Sequence, residues 1–297
     1  PAPERRKAAG PLFSALWKTA RWKIPPPRAI LKERLRLKKK GETGVTLSSA
    51  LPPLQKEAEC RAYYQAADLT NGVLLAESGA QTPVRSASLI KVPILFAALD
   101  AVREGALSLG ADIPISPAQH TGDSRTIPPG CRAAPLSFLL DTMTADSDNT
   151  AANVLMDLLH MERVNALCRA LGLTSTCLRR HMLDFAAAAR GEENFTSAAD
   201  MLRLFSLLYD RRLLTPALCG IAEGFLLRQK DKDCVLFPMP QQKAAHKTGE
   251  LPGIRHDAGL LYGARRTVAF AFLTEADGGQ DGRCFLRAAG GALKALL

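Results

Sequence analysis

The sequence lacks the features that define several protein classes. It has no apolar run long enough to cross a bilayer and no internal repeat. Its five histidines show no spacing typical of metal ligands, and none of its seven cysteines forms a Cys-x-x-Cys pair. Seven cysteines also fit poorly with a strongly oxidising compartment, and their pairing is open. We therefore expect a globular protein without a metal or other cofactor.

Charge is distributed unevenly along the 297 residues. Residues 1–40 contain 13 Lys and Arg residues and two Glu residues, whereas the rest contains 26 basic and 27 acidic residues. We expect residues 1–45 to form a basic, partly disordered N-terminal arm, with residues 1–40 as a candidate contact for an anionic membrane or wall surface. Residues 1–30 contain no apolar stretch typical of a signal peptide. The nearly neutral remainder gives no reason to expect nucleic-acid binding.

Apolar periodicity indicates a chain that begins and ends with strands. Two apolar runs within residues 61–76 flank Asn71-Gly72, which is typical of a β-hairpin. Apolar residues then recur at helical spacing over residues 88–102, and residues 135–230 are mostly helical in pattern. Strand patterns return over residues 258–273. This order predicts a mixed α/β (α+β) fold.

The two ends of the chain would share one antiparallel sheet, with an all-α lobe inserted between them. A helix over residues 47–59, interrupted at Pro52-Pro53, and an amphipathic helix over residues 282–297 would flank the sheet. In this interpretation residues 46–87 and 235–297 form the α/β lobe, and residues 88–234 form the mostly helical lobe.

Three short motifs lie in the middle and late parts of the chain. They are Ser88-Leu-Ile-Lys91, Ser147-Asp-Asn149 and Lys247-Thr-Gly249, and the first residues of successive motifs are 59 and 100 positions apart. Alone, each would be an ordinary helix cap or a surface lysine. In this order and at these separations they predict one active site in a cleft between the two lobes.

The first two motifs contain the groups that acyl transfer through serine requires. Lys91 lies one helical turn after Ser88, on the same face. A serine hydroxyl becomes a good nucleophile when a base removes its proton. Lysine can be that base if burial or a neighbouring cation, such as Lys247, lowers its pKa. Ser147 would pass the proton to a leaving nitrogen, and Asn149 would hydrogen-bond the substrate or Lys91.

The third motif offers groups for binding a substrate. Lys247 supplies a cation for a substrate carboxylate, and Thr248 supplies a hydroxyl donor. Gly249 allows the strand backbone to approach the acyl group closely. Arg255 is a candidate second anchor for the carboxylate, on the following strand.

Two histidines flank the third motif. His256 is a candidate substrate-binding residue, and its simpler interpretation is a structural histidine bonded to Asp257. For His246, which directly precedes Lys247, we expect a structural role.

As a set, the three motifs resemble the class A β-lactamases and the related penicillin-binding proteins, over residues 46–297. The resemblance implies a β-lactamase-like fold and a covalent acyl-enzyme formed without a cofactor. It also implies an oxyanion hole made by two backbone N–H groups. The implied catalytic residues are Ser88, Lys91, Ser147 and Lys247, the oxyanion donors Ser88 and Glu250, and the substrate-binding residues Asn149, Thr248, Gly249, Arg255 and His256.

The sequence departs from the class A pattern between the second and third motifs. The resemblance implies a loop, here from Arg179 to Asn194, with a Glu followed after two residues by Leu-Asn. That glutamate activates the water that frees the acyl-enzyme. No such string occurs, and its place falls on His181. Asp184 is the nearest carboxylate and the candidate deacylation base, with a loop-stabilising or exposed charge as the alternative. Because losing a general base costs about 10²–10⁴-fold in rate, we expect slow deacylation.

The leading hypothesis is a serine hydrolase that forms an acyl-enzyme with β-lactams. The alternatives are a D-Ala-D-Ala carboxypeptidase of the penicillin-binding-protein type, acting on a peptidoglycan peptide, and a non-catalytic β-lactam sensor or wall-binding module. The resemblance also implies a bacterial, extracytoplasmic protein, and we expect a monomer.

Overall fold

The computed structural model describes residues 36–37, 46–277 and 282–297. Most of the predicted basic arm therefore lies outside the described residues, and its disorder and surface contact stay predictions. From the arm the structure gives a two-residue strand, β1 (Arg36–Leu37). The backbone of β1 pairs in parallel with the start of strand β3 (Val73–Ser78).

A mainly antiparallel sheet forms the centre of the fold. Its other strands are β2 (Arg61–Asp68), β8 (Ala244–Leu251), β9 (Ile254–Tyr262) and β10 (Thr267–Glu275). In the described part of the chain the strand order is β1-β3-β2-β10-β9-β8. Strands from early and late in the sequence are thus neighbours, which confirms the predicted α/β class with a sheet shared by both chain ends.

Two short strand pairs lie outside this sheet. One joins β4 (Val84–Arg85) to β7 (Phe195–Thr196), and the other joins β5 (Asp112–Pro114) to β6 (Ala133–Pro135). Sequence periodicity did not reveal them, because two or three residues are too few to show an alternating pattern. The β4–β7 pair ties the segment before the first motif to the end of the loop that starts at Arg179.

Helices flank the sheet on both faces. The first, α1, begins after Thr46, whose side chain accepts a hydrogen bond from Ser49 N. It continues through Pro52-Pro53, where the sequence predicted an interruption. Burial of Leu47 and Leu51 against the sheet offsets the hydrogen bonds that the prolines cannot make. The helices are α1 (Leu47–Glu57), α2 (Lys91–Arg103), α3 (Leu136–Ala145), α4 (Asn149–Leu159), α5 (Met161–Ala170), α6 (Phe185–Ala189), α7 (Ala198–Tyr209), α8 (Pro216–Leu227) and α9 (Arg283–Lys294).

Strand β10 shows how the sequence divides the core into two layers. Its side chains alternate between the faces of the sheet, as in any strand. Phe270 and Phe272 pack with Phe285 of α9 on one face. Ala269 and Ala271 join the larger core of the helical segment on the other face. The large side chains therefore fill the layer beneath α1 and α9, while small side chains let the sheet approach the helices of the middle segment.

The middle segment does not separate cleanly from the sheet. Helix α7, which falls within the predicted helical lobe, packs against β2, β9 and β10. Edge strand β8 lies against the short 3₁₀ turn Ala87–Ile90. This contact brings the third sequence motif beside the first.

In the described part of the chain, no helix is both long and apolar enough to cross a membrane. The seven cysteines are all free thiols.

Candidate active site

Ser88 lies on the 3₁₀ turn that leads into α2, at the wall of an open cleft of about 690 Å³. The residue before it, Ala87, has a φ of +46°, a conformation that residues other than Gly, Asn and Asp rarely adopt. Such strain persists only where surrounding contacts enforce it. Here Ser86 N donates to Asn194 O at 2.8 Å, which fixes the segment in front of the turn. The backbone thereby holds partly exposed Ser88 at the cleft surface.

Lys91 follows Ser88 at the start of α2 and is almost completely buried. Its Nζ donates to Ser147 O at 2.5 Å, to Asn149 Oδ1 at 2.7 Å and to Ser147 Oγ at 3.2 Å. The first two motifs are therefore in direct contact, although 56 positions separate Lys91 from Ser147.

Burial and a like charge favour the neutral amine of Lys91. The pKa of Lys91 is lowered well below its usual value, mainly by burial and secondly by the Lys247 ammonium group, against the opposing effect of Asp148 and Asp123. A neutral amine has the lone pair that a general base needs, and because it keeps two protons it donates only two of the three hydrogen bonds given above. The predicted environment for a lysine base is thus present.

Lys247 approaches the same hydroxyl from the sheet. Its Nζ donates to Ser147 Oγ at 3.0 Å and to Thr248 O at 2.8 Å. Burial lowers the pKa of Lys247 to about 8, while Asp231 and Asp257 oppose the shift. Because Ser147 Oγ accepts from both lysines, its own proton is left to donate into the cleft.

Asp148 fixes the second motif in place. Its carboxylate accepts from Ser124 Oγ at 2.6 Å, from Thr126 Oγ1 at 2.8 Å and from Ala151 N at 2.9 Å. It therefore caps α4 and ties that helix to the loop that forms one wall of the cleft. The sequence gives no signal for the two hydroxyl partners, which lie 22 and 24 positions away.

Asn149 connects the lysine base to the rim of the cleft. Its Oδ1 accepts from Lys91, and its Nδ2 donates to Asp123 Oδ2 at 2.6 Å. One of the two roles predicted for Asn149, contact with Lys91, is therefore present in the structure.

Gly249 lies where the strand backbone passes Ser88. A Cβ atom at this position would lie 3.1 Å from Ala87 Cβ and 3.1 Å from Ser88 N. A larger residue would push the nucleophile turn away from β8, so glycine permits the close approach. Glu250, the next residue, also lines the cleft.

Arg255 lines the cleft beside Thr248, as predicted, and it has an acidic partner that the sequence did not reveal. It forms an ion pair with Glu250, the residue opposite it in the β8–β9 pairing. Asp231 is a second acidic neighbour, bonded to Thr248 and close to both Arg255 and Lys247. Despite desolvation, the bonds to Asp233 N and Thr248 lower the pKa of Asp231.

His256 does not line the cleft, which argues against its candidate role in substrate binding. It is fully buried, with Nε2 2.9 Å from Arg85 O, and its Nδ1 accepts from Thr274 N at 3.1 Å. Burial lowers the pKa of His256 to about 4, so the ring is neutral. It attaches strand β9 to the segment that precedes Ser88.

The partner of Asp257 is His246 and not His256. His246 Nδ1 lies 2.9 Å from Asp257 Oδ1, and both residues are buried. Asp257 pairs with Thr248 across β8 and β9, which sets its side chain on the same face as Thr248 and His246. The predicted structural role of His246 agrees with this arrangement.

The loop between Arg179 and Asn194 closes as predicted. Asn194 Oδ1 accepts from Arg179 N at 2.7 Å and from Arg180 N at 3.1 Å. Arg180 also forms an ion pair with Glu193 at 2.6 Å. His181, at the place of the expected glutamate, bonds to Asp157 at 2.7 Å.

Asp184 is poorly placed to be the deacylation base. Its carboxylate caps the short helix α6 by accepting from Ala187 N at 2.9 Å, and it does not line the cleft. Leu183 is the residue of this loop that reaches the cleft, with a φ of +62°. Among the described residues, the carboxylates that line the cleft are Asp123, Asp146, Asp148, Asp231 and Glu250, none of which belongs to this loop. Across the residues that the structure describes, no cluster of three His, Cys, Asp or Glu side chains could hold a metal ion.

Comparison with known proteins agrees with this geometry. The sequence model of the β-lactamase enzyme family matches residues 46–295. No curated protein matches the chain by sequence. A β-lactamase from Sphaerobacter thermophilus DSM 20745 is 21% identical, with 84% of this chain and 98% of that chain covered and a TM-score of 0.73.

Two other solved structures are similar to the chain to the same degree. A β-lactamase from Desulfarculus baarsii DSM 2075 is 19% identical, with coverage of 85% and 98% and a TM-score of 0.77. PBP-A is 22% identical, with coverage of 83% and 96% and a TM-score of 0.74. At these identities the likeness shows the fold.

Proposed function

Because this chain belongs to the β-lactamase enzyme family, we propose that it is a serine hydrolase that forms an acyl-enzyme with β-lactams at Ser88 and hydrolyses it slowly. One observation carries the proposal: Lys91 and Lys247 both donate to Ser147 Oγ, beside the cleft that Ser88 lines. A base and a proton donor then meet beside the cleft that the nucleophile lines.

Acylation would proceed through proton transfers among Ser88, Lys91 and Ser147. Ser88 Oγ attacks the β-lactam carbonyl carbon while the neutral amine of Lys91 takes its proton. The C–N bond breaks as the nitrogen receives a proton from Ser147 Oγ, and Lys91 returns a proton to Ser147. The backbone N–H groups of Ser88 and Glu250 would stabilise the oxyanion, and Lys247 keeps its charge near the substrate carboxylate.

Deacylation would lack a dedicated base. No carboxylate of the loop from Arg179 to Asn194 lines the cleft, and the loop instead contributes the apolar side chain of Leu183. A missing base that would activate water costs about 10²–10⁴-fold in rate. The acyl-enzyme would therefore persist after its formation.

The apolar side chain of Leu183 at the cleft also supports a second candidate, a D-Ala-D-Ala carboxypeptidase of the penicillin-binding-protein type. PBP-A shares the fold of this chain, and its L158E mutant was solved as an acyl-enzyme complex with penicillin-G. A peptidase of this kind would use Ser88, Lys91 and Ser147 in the same way on a peptide bond.

Mass spectrometry of the protein with benzylpenicillin tests the proposal. We expect the mass of one penicilloyl group to be added, and proteolytic mapping to locate it on Ser88. Ser88→Ala should show no adduct, whereas Ser108→Ala, an exposed serine outside the cleft, should behave as the wild type does. An adduct on another residue, or no adduct on the folded wild type, would contradict the proposal.

Release of D-Ala separates the candidate functions. A model peptide that ends in D-Ala-D-Ala should be cleaved if the chain is a carboxypeptidase, while a chromogenic cephalosporin should be turned over in preference if it is a β-lactamase. A Ser88 adduct that never hydrolyses, with no cleavage of either compound, would favour a non-catalytic sensor.

A further inference from the structure

The part of the cleft that would receive a substrate carboxylate already contains carboxylates of the protein. Glu250 forms an ion pair with Arg255. Asp231 accepts from Asp233 N at 2.9 Å and bonds to Thr248, close to Arg255 and Lys247. Two cations of this region are therefore balanced by two anions before any ligand binds. An incoming carboxylate meets a neutralised site and not a pair of free cations.

The two acidic side chains differ in how easily they could leave. The Glu250 side chain is 62% exposed, while that of its partner Arg255 is only 6% exposed. Asp231 is half-buried and bonded to a backbone N–H and to the Thr248 hydroxyl. The Glu250 carboxylate can therefore rotate into solvent, and an incoming carboxylate would take its place as the partner of the buried Arg255 guanidinium group. Asp231 would lose its hydrogen bonds if it moved, so it stays.

The strand geometry sets Glu250 in this position. Glu250 and Arg255 are direct partners in the β8–β9 register, so their side chains lie on the same face of the sheet. Thr248 and Asp257 form the next pair on that face. The Glu250 side chain therefore reaches the guanidinium group beside Thr248, where a substrate carboxylate would bind.

We propose that the Glu250 carboxylate occupies the carboxylate subsite of the free protein and is a specificity-determining residue. A ligand with a free carboxylate must displace Glu250 from Arg255, whereas the ester or amide of the same ligand need not. The site thus discriminates against the acid in favour of the neutral form. This inference deepens the proposed function, since it concerns the ligand class of the same cleft.

Equilibrium binding in a Ser88→Ala background tests the inference without any acylation. The ligands are benzylpenicillin and its methyl ester, and the Kd of each is measured by titration calorimetry. Adding Glu250→Gln should lower the Kd of the acid about fivefold, because a carboxylate no longer competes for Arg255, and change the Kd of the ester less than about twofold. Thermal unfolding of each variant checks that the fold is intact.

Asp146→Asn in the same background is the matched control. Asp146 also lines the cleft, but its carboxylate pairs with Lys230 at 2.6 Å and not with Arg255. It removes the same unit of charge, so it measures the general electrostatic effect. The Kd of each ligand should change by less than about twofold in this variant.

Three results would overturn the inference. In the first, Glu250→Gln lowers the Kd of the acid and of the ester equally. In the second, Asp146→Asn lowers the Kd of the acid as much as Glu250→Gln does. In the third, Glu250→Gln does not lower the Kd of the acid, or the acid binds to neither protein. A wild type that forms no adduct at Ser88 would instead overturn the proposed function, because this binding measurement does not depend on acylation.

Discussion

Lys247 Nζ lies 3.0 Å from Ser147 Oγ, although 100 residues of sequence separate them. The contact joins the edge strand of the sheet to the loop in front of α4. Because Lys91 donates to the same oxygen, the Ser147 hydroxyl accepts from two amines and can donate to neither while both are donors. Its proton is thereby directed towards the cleft.

Replacement of Lys91 with Met should remove the base and keep the apolar volume. We expect acylation by a β-lactam to slow about 10²–10⁴-fold, the usual contribution of a general base. Stopped-flow measurement of the adduct formation rate tests this. Lys56→Met, an exposed lysine on α1 that does not line the cleft, is the control and should acylate at the wild-type rate. Wild-type acylation by Lys91→Met would assign the base to another group.

The pH dependence of acylation should reflect the two buried lysines. Since burial lowers the pKa of Lys91, the neutral amine is available well below the usual pH range of lysine. Lys247 has a pKa of about 8, so it loses its charge as the pH rises through that value. We therefore expect acylation by a carboxylate-bearing β-lactam to fall on the alkaline side near pH 8.

Lys247→Arg is the control for this alkaline limb, the decrease in acylation rate near pH 8. Arginine stays charged throughout the accessible range, so the limb near pH 8 should disappear even if the maximal rate is lower. A limb that keeps its position in Lys247→Arg would mean that a different group titrates there.

Leu183→Glu should supply the carboxylate that the loop lacks. Leu183 is the side chain of this loop that lines the cleft, so glutamate there could activate a water molecule beside the acyl group. We expect the hydrolysis rate of the acyl-enzyme to increase, by up to about 10²–10⁴-fold. Leu183→Gln has nearly the same shape without the base and should leave the adduct long-lived. Equal rates for the two variants would show that a carboxylate at this position is not sufficient.

Gly249→Ala should impair acylation through sterics. The added Cβ would lie 3.1 Å from Ser88 N, on the side where the oxyanion would bind. Since loss of one oxyanion donor costs about 10²–10³-fold, we expect a decrease of that order in the acylation rate. The control, Gly110→Ala, has nothing within 4 Å of the new Cβ and should acylate normally. Near-normal acylation by Gly249→Ala would show that the turn can move aside.

The sequence predicted the parts of this site that depend on local pattern. The three motifs identified Ser88, Lys91, Ser147 and Lys247, and the structure brings the last three into direct contact beside the cleft that Ser88 lines. The Asn-Gly turn and the alternating tail likewise predicted strands that the structure contains, because hairpin signals are contained in a few adjacent residues. Motifs and turns can therefore be recognised from the sequence without knowledge of the tertiary packing.

Contacts set by strand register or by loop packing were not predictable. His246 binds Asp257 because the β8–β9 register sets them diagonally on the same face of the sheet, whereas adjacency in sequence favoured His256. Charge alone favours Asp184 as the base, but in the loop that carboxylate caps a helix, and Leu183 lines the cleft. These contacts depend on the direction of each side chain from the backbone, and spacing along the sequence does not give that direction.

We propose that the cleft forms an acyl-enzyme faster than it can hydrolyse it. Reaction of the wild type with a chromogenic cephalosporin in stopped flow, with intact-mass sampling over the same period, tests this directly. We expect a burst of one equivalent of product per protein, followed by a much slower steady state in which the adduct on Ser88 persists for minutes. Linear turnover without a burst, and without an adduct in the mass spectra, would show that hydrolysis keeps pace with acylation.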